Sequence, residues 1–95
     1  MPNDVGSRQW RLDTPIAFGQ PGALLWQGNA CIEHFEFSGY TSQGQLAIIK
    51  DSTGRTVWQA SGAADLEEVR SGKIGWVNGV VLDTLQDGLV IAYIR

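Results

Sequence analysis

Near the C-terminus, two runs of strand-forming residues flank the triplet Gln86-Asp87-Gly88. Residues 80–85 precede it and residues 89–94 follow, both dominated by Val, Leu and Ile. An Asp-Gly pair between apolar runs predicts a β-hairpin, because glycine reaches the positive φ that a tight turn demands. A second unit of the same kind lies upstream. Residues 46–50 and 55–59 flank Asp51-Ser52-Thr53-Gly54, a turn with Asp first to bond its own backbone and Gly last. Two hairpins in a chain of 95 residues point to one antiparallel β domain.

Composition supports that reading. Val, Ile and Thr supply 19 residues, Lys and Glu only six, and Gly 12. The chain is poor in helix formers and rich in strand and turn formers. Residues 31–37 alternate, placing Cys31, Glu33, Phe35 and Phe37 on one face and Ile32, His34 and Glu36 on the other. Residues 74–77 form a short strand that stops at Asn78-Gly79, and residues 10–12 and 24–26 are weaker strands. Residues 63–70 have a helical composition but are too few to hold a helix alone, so a strand or loop is expected there. The fold expected is all-β, a β-sandwich or small barrel of seven to eight short antiparallel strands. Residues 1–7 are expected to form a flexible arm, and residues 8–95 the single β domain. The expected core contains Phe35, Phe37, Ile48, Val57, Leu82, Ile91 and Tyr93, with Trp58 beside them.

Charge narrows the partners. The net charge is −3, which argues against nucleic acid, whose binding rests on Lys and Arg at phosphates. No apolar run approaches the roughly 18 residues of a membrane-spanning helix. The N-terminal residues show no basic and apolar regions of a signal peptide. The single Cys excludes an internal disulfide.

Residues able to do chemistry are sparse. His34 is the only His, and strand parity puts it on the face opposite Cys31, which argues against a Cys–His dyad and an enzyme. Parity separates Glu33 from Glu36 in the same way, against a glycosidase pair. A zinc site needs four ligands, more than the Cys and His content offers. Asp65, Glu67 and Glu68 lack the alternating ligand pattern of a calcium loop and read as a solvated loop. Gly19-Gln20-Pro21-Gly22 reads as a turn, since no Gly-Lys-Ser/Thr follows. No cofactor or metal is expected. Trp10, Trp26, Trp58 and Trp76 are four indoles in a small chain, more than its core readily encloses. Trp10, Trp26, Trp76 and Tyr40 are therefore candidates for a subunit interface, where aromatic residues are enriched. A sugar-stacking platform is the alternative.

The order of motifs carries a resemblance. Trp10-Arg11-Leu12-Asp13-Thr14 leads, followed by Gly39-Tyr40-Thr41 and the hairpin return Gly54-Arg55-Thr56-Val57-Trp58. Trp76-Val77-Asn78-Gly79 and Leu82-Asp83-Thr84-Leu85 come next, and the chain closes on Ile91-Ala92-Tyr93-Ile94-Arg95. From about residue 10 onward this resembles small phage structural proteins of the head and tail, among them β-sandwich capsid decoration, or cement, proteins. The resemblance implies a homo-oligomer, most simply a trimer, bound to the major capsid protein on the outer surface of the virion. It supplies no catalytic residue. A tail adaptor or a receptor- or carbohydrate-binding β module is the alternative role.

Overall fold

The two hairpins and the alternating segment join into one antiparallel sheet. The computed structural model describes residues 3–5 and 7–95. Its strands are β1 (Asn3–Asp4), β2 (Gln9–Leu12), β3 (Leu24–Ser38), β4 (Leu46–Lys50), β5 (Thr56–Ser61), β6 (Val69–Arg70), β7 (Gly75–Leu85) and β8 (Leu89–Ile94). They lie in the order β1-β2-β8-β3-β7-β4-β5, with β6 also paired to β3. Among the described residues there is no helix. Only one face of the sheet is lined continuously by buried apolar side chains, so the sheet must curl to cover it. The curl shows in the Phe35–Trp58 stack, with ring centroids 5.4 Å apart. Those residues sit on β3 and β5, which β7 and β4 separate within the sheet. The result is the sandwich- or barrel-like β fold that strand patterning indicates.

Both expected hairpins form. Asp51 Oδ1 accepts from Thr53 N, Thr53 Oγ1 and Arg55 N, which fixes the β4–β5 turn. Residues 63–68 form a loop that leads into β6. Two expected boundaries were wrong. Residues 24–26 and 31–37 belong to one 15-residue strand, β3. Asn78-Gly79 does not end a strand but lies inside the 11-residue β7. Gly79 adopts φ +83° there, and an added Cβ would meet Ser52 Cβ at 2.7 Å, so glycine is what lets β7 run on through this point. The expected arm is also partly structured. Asn3 and Asp4 pair with Leu12 and Arg11, and the Asn3 side chain accepts from Asp13 N and Thr14 N. Met1, Pro2 and Gly6 of that arm lie outside the described residues.

The core corrects the expected set. Phe35, Phe37 and Leu82 are buried as expected, but Ile48, Val57, Ile91 and Tyr93 are only half-buried. Ala47, Ile49, Val90 and Ala92 take the inner positions of β4 and β8. The cause is size matching across strands. Phe35 lies opposite Ala92 and Phe37 opposite Val90, so each ring has a small partner. Tyr93 then points outward with His34, its cross-strand partner. Trp58, expected in the core, is half-buried and packs against it.

Candidate functional site

The strand β3 contains a bulge that inverts the sequence reading of its faces. Ile32 pairs with Ile94, but His34 pairs with Tyr93, so β3 gains one residue relative to β8 between those pairs. Ile32 and Phe35 are both fully buried although three residues apart. Ile32 therefore joins Phe35 and Phe37 on the inner face. Cys31 lies on the outer face with His34 and Glu36, not opposite them. The parity argument against a Cys–His dyad therefore fails. The His34 ring is instead stacked on Tyr93, with centroids 4.3 Å apart and planes inclined by 20°. Its Nε2 is buried with no hydrogen-bond partner among the described residues.

Next to this pair, the same outer face holds a charged cluster. Glu36 lies opposite Arg70 on β6 and Ile91 on β8 and is 8 % exposed. Arg70 Nη2 is 3.6 Å from Glu36 Oε2 and 3.3 Å from Glu68 Oε1, so one guanidinium bridges two carboxylates. The neighbouring Glu68 carboxyl holds Glu36 below its ordinary value of 4.5, with Tyr93 and Arg70 assisting and burial opposing. The same proximity, with desolvation and the charge of Glu36, raises Glu68. The neighbouring Glu36 carboxylate, with burial, likewise raises the Tyr93 phenol. The sequence reading of Asp65, Glu67 and Glu68 as a solvated loop holds, all three being exposed. It missed that Arg70 links Glu68 to Glu36. No local signal could have shown that pairing, because β6 reaches β3 through tertiary folding.

Several other carboxylates are held below their ordinary value of 3.8. The Thr53 hydroxyl lowers Asp51, the Phe18 amide lowers Asp83 with help from Thr84 and Lys50, and the Thr41 hydroxyl lowers Asp87. A carboxylate with a lowered folded pKa stabilises the fold above its unfolded value and loses that stabilisation as pH falls through the lowered one. The thermal midpoint is therefore expected to drop as pH falls below about 4. Glu68 has the opposite sign: its contribution is full below 4.5 and is lost as pH rises through its raised value. Glu68→Gln should flatten the pH dependence of the midpoint above 4.5. A variant melting curve with the wild-type slope in that range would refute the pairing.

The four interface candidates divide sharply. Trp10 is 1 % exposed and Tyr40 is 4 % exposed, which corrects both as surface contacts. Trp10 is held between β2 and the core, its ring 4.9 Å from that of Trp26. Tyr40 stacks on Phe37 at 4.7 Å. Its hydroxyl donates to Glu67 O and accepts from Ala63 N, so it anchors the 63–68 loop from below. Trp26 is half-buried against the core, and its Nε1 donates to Asn29 O at 3.2 Å. Only Trp76 stands free. It lies opposite Cys31, hence on the outer face, and is 75 % exposed.

A shallow cleft lies further along β7. Phe18, Gln20, Ala23, Leu24, Ser52 and Val81 line most of a volume of about 210 Å³. The expected turn at Gly19-Gln20-Pro21-Gly22 forms one wall, closed by Gln20 N to Ala17 O and Ala23 N to Gln20 O. The bond from Ile16 N to Leu82 O ties this segment across β7. No family model matches the chain, and comparison with curated proteins and with solved structures finds no match.

Proposed function

We propose that this chain is a binding module without chemistry of its own, a small virion structural protein that assembles with copies of itself and seats on the outside of a phage capsid. Trp76 carries the reading. The fold absorbs three of its four indoles and leaves this one 75 % exposed, and Trp is enriched where subunits bury an anchor. Low charge supports it, since charged residues are depleted at interface cores. The sequence resemblance to decoration proteins supplies the role. A trimer set on a local threefold axis would tie neighbouring copies of the major capsid protein together, and many weak contacts would add through multivalency. The acidic balance favours the outer surface over one facing packaged DNA. A stable contact of this kind should bury at least about 1,000 Å². The test is light scattering of the free protein with cryo-electron microscopy of particles that carry it. The expected result is an oligomeric mass and density on the shell exterior. A monomer absent from that exterior would overturn the proposal and favour the tail module.

One observation favours a second reading, a glycan-binding face. Trp76, His34 and Tyr93 share the outer side of the sheet with Glu36 and Arg70, which combines ring faces with polar partners. Under that reading, glycan-array binding would vanish in Trp76→Ala while the molecular mass stayed unchanged.

A further inference from the structure

We infer that the exposed Trp76 indole of one copy inserts into the Phe18–Leu24–Val81 cleft of the next, joining copies head to tail. This deepens the oligomer reading and rests on it. The two features complement each other in size. The cleft measures about 210 Å³, and a dry apolar cavity of about 150 Å³ accepts benzene, so a bicyclic indole is the next size up. They also complement each other in chemistry. None of the residues lining the cleft carries a charge, so an entering ring strips no ion of its hydration. Phe18 offers an aromatic face, and Leu24 and Val81 offer aliphatic walls. Gln20 and Ser52 bring side-chain oxygens that accept no hydrogen bond from another described residue. A buried indole N–H needs such an acceptor.

Exposure points the same way on both sides. Phe18 is 42 % and Leu24 40 % exposed, so the rim of the cleft is itself apolar surface in contact with water. Trp76 cannot fill the cleft of its own chain. It lies five residues from Val81 along β7, about 16 Å at the strand rise of about 3.3 Å per residue, which exceeds the reach of an indole. The donor and acceptor patches therefore differ, and the contact is heterologous. Such contacts close into rings or run on as filaments, according to the rotation between copies.

The test uses the full chain and two variants at surface positions, Trp76→Ala and Leu24→Asp, each checked for folding by circular dichroism. Light scattering should give an oligomer for the wild type and 10.3 kDa for each variant alone. An equimolar mixture of the two variants retains one intact Trp76 and one intact cleft, so it should give a species of twice that mass and nothing larger. As a measurement independent of Leu24→Asp folding, N-acetyl-tryptophanamide titrated into Trp76→Ala should shift the amide resonances of Phe18, Leu24 and Val81. An oligomeric wild type with oligomeric Leu24→Asp, or no shifts at the cleft, would overturn the insertion while leaving assembly intact. A monomeric wild type would overturn both.

Discussion

Phe35→Ala is expected to cost about 3–5 kcal/mol, the range for removing a buried aromatic ring. Phe35 has no exposed surface and stacks on Trp58 with an interplanar angle of 8°. It joins β3 to β5 across the interior, so its loss opens a cavity between parts of the sheet that no ladder connects. Domains of this size are stable by only about 5–15 kcal/mol, so the variant should unfold at markedly lower urea. At about 4–8 °C per kcal/mol, the thermal midpoint should fall by more than about 12 °C. The stack itself should appear as a coupling of about 0.5–1.5 kcal/mol in a Phe35/Trp58 double-mutant cycle. Ile48→Ala, on the half-exposed outer side of β4, should cost about half as much or less. Equal losses for Phe35→Ala and Ile48→Ala would mean that the faces of the sheet are assigned wrongly.

Gly88→Ala is the second large effect. Gly88 turns the β7–β8 hairpin at φ +79°, a region that costs an L-residue about 1–2 kcal/mol. Sterics add to that. A Cβ there would press on Ser38 O and lie 2.7 Å from Tyr40 N, and both are backbone atoms that cannot rotate away. Ser38 is also the β3 residue paired with Leu89, so relief would need the end of the β3–β8 ladder to part. The expected loss is about 3 kcal/mol or more, read from chemical unfolding. Gly28→Ala is the control. Gly28 has φ +93° but nothing within 4 Å of an added Cβ, so its cost should stay near about 1–2 kcal/mol. If the two variants lost the same stability, the contact at Gly88 would have to be absent.

The two hairpins, the β class and the turns at Asp51–Gly54 and Gln86–Gly88 were legible because each depends on neighbours in sequence. Glycine at a turn and runs of Val, Ile and Leu beside it act locally. The candidate site was far less legible. Its members His34, Glu36, Glu68, Arg70 and Tyr93 come from β3, β6, β8 and a loop, and only strand pairing brings them to one face. Apolar doublets such as Ile48-Ile49 and Val90-Ile91 carry no alternation, so their sequence does not say which member turns inward. The choice came from Phe35 and Phe37, which require the small side chains of Ala92 and Val90 opposite them.

By itself, the sequence determined that this chain is an antiparallel β protein, where it turns, and that its indoles exceed what a small core readily encloses. Tertiary structure decided which indole stayed outside, which face Cys31 shares with His34, and which acid met Glu36. The physical reason is the period of two along a strand. It is a local property only while the strand is unbroken, and a single extra residue exchanges inside for outside. The bulge before His34 is set by the pairing of β3 with β8, a contact between residues almost sixty positions apart. Trp10 and Trp76 are the same side chain in comparable strand segments. One is 1 % exposed and the other 75 %, because pairing sets Trp10 beside buried Ala92 on the inner face and Trp76 beside Cys31 on the outer face.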